Sequence, residues 1–303
     1  MDVRTNSLQA WLLASRPKTL SGALVPVFTA SALALADGVF QPGVAVLCGL
    51  FAVLMQVAAN LINDYFDYLK GTDADDRLGP ERAMAQGWIT ARAMRIGIVL
   101  TLVVAAAVGL LIVAVFVGTN PVGAPALWSL VGLGAACIVG AFLYTLLMSY
   151  IGLGDVLVWL FFGFVPVCGT YFVQAADLTR SVWLVAAACG FVTDTLLVLN
   201  NYRDRDTDRA HGKHTLVSVF GEPFGRYFYF VQGVAGCACA YALSWQGYPV
   251  ARMVVFYLYF HLTTWLFMVR LRRGRELNAV LGLTARNILI FGVLLSVGLV
   301  LRG

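Results

Sequence analysis

The chain contains nine apolar segments, each long enough to cross a lipid bilayer as one helix. A spanning helix needs roughly 17 to 25 apolar residues, and the segments cover about residues 20–36, 44–62, 95–117, 127–149, 155–176, 182–200, 227–245, 251–269 and 286–302. They are continuous and do not alternate in polarity, which argues against a transmembrane β-barrel. With 60% hydrophobic and 12% charged residues, the sequence predicts an all-α, polytopic membrane protein.

Small residues are frequent within these segments. Most of the 30 glycines lie there, where they allow helices to approach one another closely. The six cysteines also lie in apolar segments, with no CxxC pair and no histidine at ligand spacing. We therefore expect the cysteines to be packing residues and predict no disulfide framework.

The basic residues predict the orientation. If the N-terminus is cytoplasmic, all of the 21 Lys and Arg except Arg180, Arg252 and Arg302 flank cytoplasmic ends of the nine segments, as the positive-inside rule requires. We read the first apolar segment as a retained helix, because no small-residue cleavage pattern follows it. The net charge of +5 then belongs to the inner face of a membrane protein in contact with lipid, and we expect no nucleic-acid partner.

An acidic stretch follows the second apolar segment. Residues 60–82 read NLINDYFDYLKGTDADDRLGPER, in which Lys70, Arg77 and Arg82 are interleaved with five Asp and one Glu. On a helix that ends near Gly71, helical spacing places four polar side chains on one side, namely Asn60, Asn63, Asp64 and Asp67. The remaining aspartates, beginning with Asp73, would lie in the following loop.

A second acidic stretch follows the sixth segment. Residues 200–213 read NNYRDRDTDRAHGK, and Asn200, Asp204 and Asp208 share one helical face while Asp206 points elsewhere. Four crossings separate the two stretches, so both should lie on the cytoplasmic side. We expect a single domain over residues 1–303, built from two similar helical groups with a site between the acidic stretches.

The acids and bases together indicate a particular chemistry. Carboxylates so close together require a cation, and Mg²⁺ prefers oxygen ligands that include substrate phosphates. The interleaved Lys and Arg would pair the remaining phosphate oxygens. The competing interpretation, two solvated loops, does not explain why amides and carboxylates align on helix ends at both places.

Four isolated polar residues, one aspartate and three histidines, are considered separately from the acidic motifs. Asp194 is costly in a membrane and is either functional or only hydrogen-bonded to neighbours. For His261 we expect packing, and for His211 and His214 we expect solvent exposure.

An ordered set of motifs resembles the UbiA-type membrane prenyltransferases, in particular the branch that prenylates 1,4-dihydroxy-2-naphthoate in menaquinone synthesis. The two acidic stretches resemble the aspartate-rich motifs of that family. The other matching sequences are RPKTL at 16–20, NDYFDYLKGTD at 63–73, GP-x-R at 79–82, GLGD at 152–155, GTYFVQ at 169–174 and NNYRDRDTDRAHGKHTL at 200–216. They cover nearly the full chain.

The resemblance implies a UbiA-type bundle of nine helices in a bacterial cytoplasmic membrane, with the active site toward the cytoplasm. It implies that a polyprenyl group passes from its diphosphate to 1,4-dihydroxy-2-naphthoate with loss of CO2, giving demethylmenaquinone.

The resemblance also assigns residues to roles. Metal ligands for Mg²⁺ would be Asn63, Asp64, Asp67, Asp73, Asp204 and Asp208. The diphosphate would be bound by Lys70, Arg77, Arg82, Arg209 and Lys213, and the acceptor by Arg16, Lys18, Tyr144 and Asn200. Asp67, Asp204 and Asp208 would be catalytic, with Asp206 as a candidate base.

The sequence departs from the family pattern at two places, and three alternative functions were considered. Where the wider family has a further Asp, this chain has Gly71, and the residues between Tyr144 and Gly152 lack the usual glycine and proline. A sister enzyme could use 4-hydroxybenzoate or a haem or chlorophyll precursor. A cation transporter would leave the nearby Arg and Lys unexplained, and the D-G-x-x-A-R signature of CDP-alcohol phosphotransferases is missing.

Overall fold

Helices form almost all of the computed structural model, which describes residues 3–71, 78–120, 124–146 and 151–301. The α-helices are α1 (Leu8–Ser15), α2 (Leu20–Ala36), α3 (Pro42–Lys70), α4 (Ala91–Thr119), α5 (Ala124–Leu146), α6 (Gly154–Trp159), α7 (Val165–Ala175), α8 (Arg180–Ala210), α9 (Leu216–Ala242), α10 (Tyr257–Leu271) and α11 (Leu277–Val300). A π-helical turn, Leu160–Phe164, joins α6 to α7, and 3₁₀ turns cover Pro17–Thr19, Leu243–Trp245 and Pro249–Phe256. The all-α prediction is confirmed.

Each predicted apolar segment corresponds to a helix. Within the described ranges, eight helical stretches are long and apolar enough to span a membrane. The helix at the predicted seventh span, α9, is not among them. Its first half contains Glu222, Pro223 and Arg226, and Gly221 has non-helical backbone angles. The count of nine spans and the cytoplasmic N-terminus therefore stay predictions, as does the division into two similar groups.

Two helices extend beyond their apolar segments into the acidic stretches. The third helix, α3, continues to Lys70 and ends at Gly71, whose φ of 68° is a left-handed conformation that glycine adopts without strain. The eighth, α8, continues to Ala210. The prediction that the acidic residues lie on helix ends is thus confirmed for the described residues.

The main apolar core surrounds α8. Its buried side chains come from α2, α7, α8, α9 and α11 and include Leu33, Val185, Val192 and Phe291. A second core joins α1, α3 and α4 to the segment 83–89 through Ile62, Met84 and other residues. The acid-bearing end of α3 is thereby packed against the segment that follows it.

Glycines allow α8 to approach its neighbours closely. A Cβ atom at Gly163 would lie 2.6 Å from the Ala186 carbonyl oxygen and 2.7 Å from the Gly190 Cα atom. A Cβ atom at Gly236 of α9 would lie 2.9 Å from the Ala188 carbonyl oxygen. These contacts agree with the expectation that small residues mediate helix packing, and all six cysteines are free.

At the end of the bundle opposite the acidic stretches, one carboxylate joins three elements. The oxygens of Asp37, at the end of α2, accept hydrogen bonds from the Tyr171 hydroxyl at 2.7 Å and the Tyr248 hydroxyl at 2.5 Å. Gln41 and Gln174 add two hydrogen bonds between the start of α3 and α7. This end is therefore fixed by polar contacts.

The packing at Gly163 generates a prediction. Gly163→Val should lower the free energy of unfolding by about 1 to 3 kcal/mol, the usual effect of overpacking, because the new atoms meet backbone. The apparent melting temperature in detergent measures this. Gly132→Ala is the matched control, since nothing lies within 4 Å of its added Cβ; equal losses in both variants would contradict the close-approach explanation.

Candidate active site

The acidic ends of α3 and α8 lie on opposite sides of one polar cavity of about 230 Å³. Asn63 and Asp67 line it from α3, and Asn200, Asp204 and Asp208 line it from α8. The prediction that the two acidic stretches lie on the same side of the bundle is therefore confirmed.

On the α3 side, Asp67 forms an ion pair with Arg82. The Arg82 Nη2 atom lies 2.6 Å from Asp67 Oδ2, and the Arg82 side chain is only 8% exposed. Both residues line the cavity. An acid and a base that the sequence places 15 positions apart thus meet at one wall.

On the α8 side, Asp208 and Lys213 form the corresponding pair. Lys213 Nζ lies 3.4 Å from Asp208 Oδ1, and both residues line the cavity. The other oxygen, Asp208 Oδ2, is buried and has no hydrogen-bond partner among the described residues. A buried carboxylate oxygen left without a donor is costly, so this atom is suited to a cation.

Asp204 is held by the residue before it. Arg203 donates from Nε to Asp204 Oδ1 at 2.7 Å and from Nη2 to Asp204 Oδ2 at 2.6 Å. This two-bond geometry is the strongest form of an Arg–carboxylate contact. It neutralises Asp204 and fixes its orientation at the cavity wall.

A second, apolar cavity of about 570 Å³ adjoins the polar one. Five residues line both cavities: Arg16, Asn63, Tyr144, Leu197 and Asn200. Apolar side chains of α3, α5 and α7 form most of its remaining wall, among them Phe51, Ile138 and Val165. The site is therefore polar at one end and apolar at the other, with a mixed boundary.

Hydrogen bonds position two residues of this boundary. Asn63 Oδ1 accepts from the Thr145 hydroxyl at 2.5 Å, which joins α3 to α5. Asn60 donates to the Ser15 carbonyl at 2.9 Å and so holds the end of α1, directly before Arg16. Arg16 lies at the boundary, whereas Lys18 is exposed and lines neither cavity; its predicted acceptor contact is not supported.

The predicted metal role of Asp64 needs correction. Asp64 does not line the polar cavity, although its side chain is described. Its Oδ2 and Oδ1 atoms accept from the backbone amides of Ala83 at 3.0 Å and Met84 at 3.3 Å. The carboxylate thus holds the segment that carries Arg82 and is not presented to a ligand.

The predicted roles of Asp206 as a base and of Arg209 as a diphosphate ligand also need correction, because neither residue lines the polar cavity. Asp206 is 59% exposed and lies 3.8 Å from Arg273, so it does not reach the cavity as a base. Arg209 donates twice to the Ser218 carbonyl at the start of α9. Both point away because α8 stays helical as far as Ala210.

Three other predicted diphosphate or metal residues lie outside the cavity wall or the described ranges. Lys70 is exposed and donates to the Thr145 carbonyl at 3.5 Å, near the site but not lining it. Asp73 and Arg77 lie outside the described residues, and their roles stay predictions.

The cavity includes residues to which the sequence analysis gave no role. Asp155, Arg203, Thr207 and His211 line it, so the expectation that His211 is only solvated was incomplete. Asp155 is 2% exposed. The GLGD motif was a signal for Asp155, and the position of Arg203 beside Asp204 was a signal for Arg203.

Asp194 and His261 belong to the interior and line neither cavity. Asp194 Oδ2 accepts a short hydrogen bond from the Gln232 amide of α9. His261 bonds to the Tyr257 hydroxyl and the Phe230 carbonyl, at 3.2 and 3.1 Å, which agrees with the expectation of packing.

The donor set is suited to Mg²⁺. The candidate ligands at the cavity, Asn63, Asp67, Asp204 and Asp208, can each offer oxygen atoms to a metal, and Asp208 Oδ2 has no donor among the described residues. Within the described part of the chain, no three His, Cys, Asp or Glu side chains converge tightly enough to hold an ion alone. Mg²⁺ normally takes few protein ligands and completes its shell with water and phosphate oxygens, so an ion here would enter with an anionic ligand.

The chain is similar in sequence to known proteins. Residues 23–287 match the model of the UbiA prenyltransferase family. The chain is 41% identical to 1,4-dihydroxy-2-naphthoate octaprenyltransferase of Escherichia coli over 73% of this chain and 71% of the relative. It is 32% identical to the Haemophilus influenzae protein of the same name, over 97% and 96%.

A solved structure shares the fold. A UbiA homologue from Archaeoglobus fulgidus bound to DMAPP and Mg²⁺ superposes with a TM-score of 0.62 at 12% identity, covering 95% of this chain and 99% of that one. Its sequence identity is low, so the likeness shows the architecture only. Together with the family match over most of the chain, it leads to one conclusion: the chain is a member of the UbiA prenyltransferase family.

Proposed function

We propose that the protein transfers a polyprenyl group from its diphosphate to 1,4-dihydroxy-2-naphthoate. Diphosphate and CO2 leave, and the product is demethylmenaquinone, formed as its quinol. The observation that carries the proposal is that the two cavities adjoin, because an acid- and base-lined chamber shares five wall residues with an apolar chamber. The relatives named above support the choice of acceptor.

The diphosphate would occupy the polar cavity. Asn63, Asp67, Asp204 and Asp208 would hold Mg²⁺, and the ion would supply neutralisation of the charge that develops on the leaving diphosphate. Arg82 and Lys213 now pair with Asp67 and Asp208. If these acids were bound to the cation, both bases would be available to pair with the phosphate oxygens.

The polyprenyl chain would lie in the apolar cavity. Its wall resembles lipid in polarity, so a hydrocarbon chain leaves the bilayer at little cost. The reactive C1 carbon would then lie at the boundary between the cavities, where the bond to the diphosphate oxygen breaks. On the apolar side of that boundary the cavity wall would exclude water, which would otherwise compete with the aromatic ring for the allylic cation.

The acceptor would bind at the same boundary. Arg16 has the charge needed for the naphthoate carboxylate, and Tyr144 and Asn200 offer an aromatic face and an amide. The electron-rich ring carbon forms the new bond to C1, and loss of the carboxylate as CO2 restores the aromatic ring. The polar cavity would face the cytoplasmic side of a bacterial membrane, an orientation that the positive-inside distribution of the basic residues supports.

Product analysis tests the acceptor. With Mg²⁺ and a polyprenyl diphosphate, the purified protein should convert 1,4-dihydroxy-2-naphthoate to the prenylated, decarboxylated product, identified by mass spectrometry. Parallel reactions should contain 4-hydroxybenzoate. Prenylation of the benzoate alone would overturn the proposed acceptor, and metal flux into proteoliposomes without diphosphate turnover would favour a transporter.

Removal of the metal should abolish turnover. After chelation with EDTA and exchange into metal-free buffer, product formation should fall by about 100-fold or more, because an unneutralised diphosphate is a poor leaving group. Mg²⁺ should restore it. Prenyl transfer that persists at the original rate without divalent cations would contradict the proposed use of the acidic residues.

Alanine variants of Asp67 and Asp208 test the roles of the two cavity walls. Asp206, which lies on α8 with Asp208, is the control. Asp67→Ala and Asp208→Ala should each lower kcat/KM by about 100-fold or more, the usual loss when a group that stabilises developing charge is removed. Asp206→Ala should stay within about threefold of wild type, since Asp206 faces Arg273. Equal losses in Asp206→Ala and Asp208→Ala would contradict the site as built from the structure.

A further inference from the structure

Asn278 connects three parts of the polar site. It lies in the first turn of α11, outside both acidic stretches. Its Oδ1 atom accepts from Arg203 Nη1 at 2.8 Å, and its Nδ2 atom donates to the Leu78 carbonyl at 2.9 Å. Arg203 in turn holds both oxygens of Asp204, and Leu78 lines the polar cavity.

The two bonds fix which way the Asn278 amide faces. A guanidinium only donates hydrogen bonds and a backbone carbonyl only accepts them. If the amide turned over, its NH₂ group would face Arg203 and its oxygen would face the Leu78 carbonyl. Arg203 is 4% exposed, so water cannot readily replace the lost contact. One side chain therefore links a buried cation of α8 to the backbone near the end of the first acidic stretch.

The segment that begins at Leu78 carries a residue proposed to bind the diphosphate. Four residues later Arg82 pairs with Asp67, and the amides of Ala83 and Met84 bond to Asp64. The segment is therefore attached to α3 at residues 82–84 and to α11 and α8 at Leu78. Without the second attachment, Arg82 would be held at the cavity from one side only.

We propose that Asn278 is a positioning residue for the diphosphate site. By joining Leu78 to the Arg203–Asp204 pair, it fixes the position of one wall of the polar cavity relative to the other. Arg82 lies on the first wall and Asp208 on the second. The inference rests on the proposed function in one respect, namely that the polar cavity binds a prenyl diphosphate. It does not depend on which aromatic compound accepts the prenyl group.

Binding of a non-reactive prenyl thiolodiphosphate, with Mg²⁺ in detergent, tests the proposal on the full-length protein. Asn278→Leu should raise the Kd of this analogue about tenfold, the effect of losing one well-placed hydrogen bond to each partner. The KM for the aromatic acceptor at saturating prenyl diphosphate should change less than twofold. Asn120→Leu is the control, because within the described ranges the Asn120 side chain bonds locally, to Phe116 and Thr119, at the C-terminal end of α4.

Tryptic cleavage after Arg82 reports the position of the segment directly, since Arg82 is buried in the native protein. Asn278→Asp keeps an acceptor for Arg203 but loses the donor to Leu78, whereas Asn278→Leu loses both. Cleavage at this bond, followed by mass spectrometry, should be faster in both variants than in wild type or Asn120→Leu. Faster cleavage in Asn278→Leu alone would overturn the proposed link to Leu78.

An unchanged Kd for the analogue in Asn278→Leu would also overturn the proposal. An equal rise in the diphosphate Kd and the acceptor KM would do the same, because it would indicate general loosening of the fold. The acceptor takes no part in the binding or cleavage measurements. A wild-type protein that prenylates a different aromatic acid would therefore contradict the proposed acceptor and leave these measurements to decide the role of Asn278.

Discussion

Charge compensation at the ends of α3 and α8 is the constraint on which the rest of the site depends. Three carboxylates of these two helices face one cavity of about 230 Å³. Each forms an ion pair with a basic side chain: Asp67 with Arg82, Asp204 with Arg203, and Asp208 with Lys213. A partly buried acid without such a partner would be costly. The pairs make the acidic cavity compatible with a folded protein, and they also place bases where an anionic ligand needs them.

The unequal packing of the bundle provides space for the apolar part of the site. In the apolar part of the α8 stretch 67% of the residues are buried, whereas in the apolar part of the α5 stretch only 11% are buried. Glycine contacts draw α9 and the Leu160–Phe164 turn tightly against α8. On the other side, α3, α5 and α7 leave the 570 Å³ cavity between them. The rigid half thus orients the acids of α8, and the open half can accept a long hydrocarbon chain.

Helical geometry explains which site residues were predictable. Successive residues on an α-helix differ by about 100°, so Asn63 and Asp64 stand at opposite edges of the face that Asn60 and Asp67 share. The cavity lies at the Asn63 edge, and Asp64 meets the segment 83–84 instead. Asp206 was already off the face of Asn200, Asp204 and Asp208, and the unbroken course of α8 leaves it facing Arg273. Arg16 and Asn200 were identified from motifs, whereas Asn278 belonged to none and depends on contacts between residues 75 and 200 positions apart.

The sequence alone determined the class of the protein, the helical segments, and the presence of two acidic helix ends on one side of the bundle. These properties follow from apolar length, helical periodicity and an even number of crossings, all of which are local or additive along the chain. Only the tertiary structure decided which acids face the cavity, which bases pair with them, and that an apolar cavity adjoins the polar one. Those outcomes depend on how each helix is rotated and how closely it packs, and both are set by contacts between residues far apart in sequence.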